Sequence, residues 1–180
     1  MWRRIWQISF FVIIVSLAAL AQFSLVPAWP GFLAYINLGL IILIFSLFFF
    51  DFRGALLAGL VFGFWLDFLS FRFFGFYLLS LFLTLLISAW LLRDRLTNRS
   101  LYSFSALLLI ATWLYNFLAA ILFEIFEANQ ASFFLFRGDF WKSGLYQSAW
   151  GLLAAVFFFH LAAALTKRFK PFFLDKQGGL

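Results

Sequence analysis

Residues 101–123, LYSFSALLLIATWLYNFLAAILF, carry no charged side chain over 23 consecutive positions. A helix of that length rises about 35 Å, enough to cross a hydrocarbon layer of roughly 30 Å. The apolarity is continuous, whereas a strand of a transmembrane barrel alternates over about ten residues. The stretch therefore reads as a membrane-spanning helix, with Thr112, Tyr115 and Asn116 as its polar interruptions.

Similar runs lie on both sides of it. Arg3 and Arg4 precede an apolar run over 5–26 that ends at Pro27, and a second run covers 32–50, broken by Asn37, Gly39 and Ser46. Asp51, Arg53 and Gly54 form a tight connection to a third run over 55–70, and Arg72 and Gly75 separate it from a fourth over 76–92. The polar stretch 93–100 leads into the fifth run, and a longer connection from Glu124 to Ser143 leads into a sixth over 144–165. The expectation is a single domain over 1–180, an all-α integral membrane bundle of six transmembrane helices.

Composition agrees. Charged residues make up 11% of the chain and the mean hydropathy is +1.05, whereas a soluble domain carries about 25% charge. There is no cysteine and one histidine, which excludes disulfides, thiolate chemistry and multi-histidine metal centres. Phosphate-loop, zinc-protease and nucleophile-elbow motifs are missing too, so neither a catalytic residue nor a cofactor or metal is expected. The net charge of +6 would suggest nucleic acid in a soluble protein. Here the basic residues flank the apolar runs and point to membrane lipids instead.

Those basic residues also orient the chain. With the N-terminus inside, the cytoplasmic segments hold Arg3, Arg4, Arg53, Arg93, Arg95, Arg99, Lys167, Arg168, Lys170 and Lys176, ten in all, against Arg72, Arg137 and Lys142 on the other side. This asymmetry places both termini in the cytoplasm. Ala19-Leu20-Ala21 before Gln22 has the look of a signal-peptide cleavage site, but the apolar run continues past it to Val26, so an uncleaved first helix is expected. Trp2, Trp6, Trp29, Trp90, Trp141 and Trp150 fall at or near span ends, as an interfacial belt requires.

The polar and small residues inside the spans are the candidate functional positions. Gly59, Gly63 and Asp67 recur every four residues and share one face of the third helix. Small residues at this spacing let a second helix approach closely, while a carboxylate inside a span calls for a partner or a wet cavity. Asp67, near the outer end, is expected to pair with such a partner or to reach interfacial water. Ser80, Thr84 and Ser88 form a similar row on the fourth helix and read as a packing seam. Glu124 and Glu127 read as solvated, and His160 as a satisfied packing residue. The stretch 131–136 in the last connection suits a segment lying in the membrane interface.

The stretch 22–92 resembles the rod shape-determining protein MreD family. The resemblance rests on Gln22-Phe23-Ser24, on Asn37-Leu38-Gly39-Leu40, on Gly54, on the Gly59, Gly63-Phe64 and Asp67 series, and on Gly75 eight residues later. Asn37 stands where family members often carry aspartate after a proline. The resemblance implies a non-enzymatic subunit of the cell-elongation machinery in the bacterial inner membrane. Its partner would be MreC and, through it, the MreB filament and the RodA–penicillin-binding-protein synthase pair. MreD-like proteins are similar in fold to substrate-binding subunits of energy-coupling-factor vitamin transporters, which are the alternative. The scaffold reading expects the faces of the third and fourth helices, with Gln22, Asn37 and Gly75, to bind a partner helix. The transporter reading expects an outward-facing pocket for a small ligand.

Overall fold

The computed structural model describes residues 2–49, 51–70, 72–94, 100–126 and 138–165, with side chains left out of account at 2–5, 7 and 162–165. Arg95, Arg99, Glu127, Arg137, the stretch 131–136 and the basic residues beyond 165 lie outside the described residues. Six α-helices follow in order: α1 (Trp2–Ser24), α2 (Leu38–Phe49), α3 (Phe52–Leu69), α4 (Phe76–Asp94), α5 (Leu101–Phe126) and α6 (Gly138–Leu165). Among the described residues there is no strand. Five of the helices are long and apolar enough to cross a membrane; the chain is a multi-pass helical membrane protein.

The second helix departs from expectation. A span over 32–50 is expected, but α2 has 12 residues and rises about 18 Å, short of a full crossing. Pro27, Pro30 and Gly31, whose φ is +61°, break the path after α1. Two short 3₁₀ turns, Val26–Ala28 and Gly31–Tyr35, then carry the chain to Asn37. The sixth helix departs the other way. It begins at Gly138, so the residues from 138 to 143, expected in a connection, form its opening turns.

Helix α2 is apolar on all sides and is buried on most of them, as such helices are. It touches α1, α3, α4, α5 and α6, and these five stand around it in that order, each packed on the next. Ile44, Phe48, Ala55, Phe104, Leu107 and Leu108 form the interior of this arrangement with no exposed surface. Between α2 and α3, the Phe62 ring lies over Gly39 and Leu43 lies over Gly59. Between α1 and α3, Trp65 Nε1 donates to Ser16 Oγ at 3.0 Å.

At Gly63 the backbones of α3 and α4 come close together. A Cβ at Gly63 would stand 2.8 Å from the Leu78 Cα and 3.2 Å from its amide nitrogen. Backbone atoms cannot swing aside as a side-chain end can, so any larger residue must push the helices apart. Gly63→Ala is expected to destabilise the protein by about 1–3 kcal/mol through overpacking. Gly138→Ala, where nothing lies within 4 Å, should leave the thermal midpoint in detergent unchanged. Equal midpoints for the two variants would contradict this packing.

Candidate functional site

Among the described residues four helices have a capped N-terminus, and they are capped in two different ways. Asp51 accepts the Gly54 N–H at 2.8 Å at the start of α3, and Ser100 accepts the Ser103 N–H at 3.2 Å at the start of α5. These are ordinary caps, a side chain three residues ahead of the amide that it satisfies. At α4 the residue in that position is Gly75, which has no side chain to offer. Its φ of +103° also lies where other residues are strained.

Asp67 supplies the missing acceptor from the neighbouring helix. Its Oδ1 accepts the Tyr77 N–H at 2.7 Å and its Oδ2 accepts the Leu78 N–H at 3.1 Å. These are the second and third amides of α4, the pair that an N-cap side chain normally serves. Asp67 is 3% exposed, so the negative charge sits against the positive end of the α4 dipole, away from lipid. The Gly63 approach and the Asp67 cap are one device: the glycine brings Leu78 close, and one turn later the carboxylate holds the Tyr77 and Leu78 amides.

The start of α2 is held in a comparable way. Asn37 Oδ1 accepts the Leu40 N–H at 3.0 Å. Gln22, from the end of α1, accepts the Leu38 N–H at 2.7 Å and donates Nε2 to the Ile36 carbonyl at 3.0 Å. Nearby, Arg72 stacks over Phe76 and Phe123, with 4.7 and 5.3 Å to the ring centroids. Gln22, Asn37, Asp67, Tyr77 and Tyr115 thus form a polar layer toward the end of the bundle opposite the chain termini.

The face carrying Gly59, Gly63 and Asp67, expected to receive another protein's helix, is already filled. Leu43 of α2 covers Gly59, the α4 backbone covers Gly63, and Asp67 serves α4. The chain's own helices occupy this face. Ser80 and Thr84 are buried and donate to the Phe76 and Ser80 carbonyls of their own helix, both at 2.7 Å. Ser88, next in that row, and Ser46 of α2 are buried with no hydrogen-bond partner among the described residues. His160 is exposed at the α6 surface, with Nδ1 2.8 Å from the Val156 carbonyl.

Three contacts were not anticipated. Trp150, expected near a span end, stands 12 positions into α6, where it stacks on Phe32 at 5.5 Å and donates to the Phe32 carbonyl at 3.0 Å. Asn116 donates to Gln147 Oε1 at 2.9 Å, joining α5 to α6. The crossed cap of Asp67 was missed as well, though it had a signal: a carboxylate inside a span, followed eight residues later by a glycine at a helix start.

No protein-family profile, curated protein or solved structure matches the chain.

Asp67→Ala leaves two or more amides without an acceptor and is expected to cost about 2–3 kcal/mol, above the ~1 kcal/mol typical of an exposed cap. Asp67→Asn keeps one side-chain oxygen and should cost less. Adding Gly75→Asp to Asp67→Ala should not restore stability, because the +103° backbone at that position strains any side-chain-bearing residue. Thermal unfolding in detergent reads all three variants; rescue by Gly75→Asp would contradict the crossed cap.

Proposed function

We propose that this chain is a non-enzymatic scaffold subunit of the bacterial cell-elongation machinery, an MreD-like partner of MreC in the inner membrane with both termini in the cytoplasm. The observation that carries the reading is the use to which the family-like residues are put. Gln22, Asn37, Gly59, Gly63 and Asp67 all serve to join helices or to cap them, and Gly75 forms the turn whose helix Asp67 caps. A carboxylate engaged by backbone amides is a poor proton carrier and a poor ligand for substrate. A rigid body with outward apolar faces is what a scaffold requires. The ten-to-three distribution of basic residues supports the orientation.

Because the inner faces of α3 and α4 are filled, contact with the transmembrane helix of MreC falls to the outward faces of the bundle. Helix α1 is the least buried of the candidate spans, with Trp6, Phe10, Ile13 and Leu17 exposed. Through MreC the protein would join the MreB filament and the RodA–penicillin-binding-protein pair.

Affinity purification of the tagged protein in mild detergent should recover MreC, with the synthase pair in lower yield. Leu17→Arg should reduce that recovery while leaving the thermal midpoint close to that of the unmodified chain. Recovery of ATPase subunits and a bound vitamin, with no MreC, would contradict the scaffold and support the transporter-subunit alternative.

A further inference from the structure

Arg72 stands in the turn between α3 and α4, at the end of the bundle away from the chain termini, and its side chain is exposed. Its guanidinium carbon lies 4.7 Å from the centroid of the Phe76 ring and 5.3 Å from that of Phe123. Among the described residues no other cation lies over an aromatic ring. Both rings belong to the body of the bundle. Phe76 opens α4 and is 2% exposed, while Phe123 stands in the last turn of α5. The next residue pins the same turn again, because Phe73 lies 4.4 Å from Phe126 of α5.

A guanidinium laid over rings keeps free the edge that carries its N–H donors. No ion pair or hydrogen bond joins that edge of Arg72 to a described residue. The cation is thus held in place without a counter-ion from its own chain. Depth decides which anion stands beside it. From Leu101 to Phe123, α5 rises about 33 Å, close to the ~30 Å thickness of a hydrocarbon core. Leu101 follows the polar stretch 93–100, so Phe123 marks the opposite boundary and carries Arg72 at the level of lipid headgroups.

We propose that Arg72 is a binding site for the phosphodiester of a membrane lipid in the leaflet away from the chain termini. The rings of Phe76 and Phe123 preset the guanidinium for two-point contact with the phosphate oxygens. The planar fork matches phosphate geometry, and a side chain already held by rings loses less rotamer freedom on binding than a free one. This inference does not rest on the scaffold reading.

Native mass spectrometry of the full chain in mild detergent, titrated separately with phosphatidylglycerol and with diacylglycerol of identical acyl chains, tests it. The phosphatidylglycerol is expected to be retained at the lower concentration. Arg72→Gln should raise the concentration needed for phosphatidylglycerol about fivefold, the effect of one cation at a membrane surface, and leave diacylglycerol unchanged. Phe123→Leu keeps the cation, removes a ring and should cause a smaller rise. Lys142→Gln removes another exposed cation, near the start of α6, and should change little. Millimolar inorganic phosphate should not displace the lipid. Thermal midpoints confirm that each variant remains folded, and the comparison of lipids on the unmodified chain needs no variant. Equal retention of the two lipids by the unmodified chain, or phosphatidylglycerol retention indifferent to Arg72→Gln, would overturn the proposal. So would an equal rise from Lys142→Gln, which indicates diffuse surface charge, or displacement by inorganic phosphate, which indicates a free anion. Retention indifferent to Phe123→Leu would overturn the part given to the rings.

Discussion

A helix that begins inside a membrane protein leaves its first amides where water and lipid headgroups do not reach them, and each such group left unsatisfied is costly. In this protein the first amides of α2 and α4 face neighbouring helices, and a side chain from the neighbouring helix meets the need in each case. Asp67 of α3 receives the Tyr77 and Leu78 amides of α4, and Gln22 of α1 receives the Leu38 amide of α2. Much of the architecture depends on these crossed caps. They allow α2 to be only 12 residues long and central, and they allow the turn before α4 to pass through a glycine that cannot cap for itself.

The caps also bring distant parts of the chain into register. Gln22 binds on both sides of Asn37, so the end of α1 and the start of α2 are fixed to one another across the irregular turns between them. A capping interaction contributes roughly 1 kcal/mol, and an interhelical side-chain bond in a membrane about 0.6 kcal/mol. Those magnitudes are small beside the packing of Phe48, Phe62 and Phe104. Hydrogen bonds are directional, however, and apolar packing between helices in lipid is only weakly so. The polar layer selects one arrangement among many that would bury similar area.

The limits of what could be read in the sequence follow from the same physics. The number of helices was legible because a run of about 20 apolar residues has one use in a membrane. The caps of α3 and α5 were accessible from Asp51 and Ser100, each standing at the start of a helix. Which side of each helix faces inward was not legible, since lipid and protein interior are equally apolar and Phe or Leu suits both. That is why Gly59, Gly63 and Asp67 could be recognised as a close-packing face without revealing whether the partner was another protein or α2 and α4. The start of α2 was misplaced because Phe32 to Tyr35 are as apolar as a helix needs, while Gly31 and Asn37 decide the backbone. The Trp150 indole finds a carbonyl at Phe32, a partner that nothing in the sequence around Trp150 names.

Backbone amide hydrogen exchange in the unmodified protein tests the crossed caps most directly. First-turn amides ordinarily exchange fast because no intrahelical acceptor protects them. If Asp67 and Gln22 act as described, the amides of Tyr77, Leu78 and Leu38 will exchange as slowly as those in the middle of α5, such as Leu107. The first-turn amides of Leu101 and Tyr102, which have no such acceptor from a neighbouring helix among the described contacts, will exchange at least tenfold faster. Exchange at Tyr77 and Leu78 as fast as at Leu101 and Tyr102 would contradict the account.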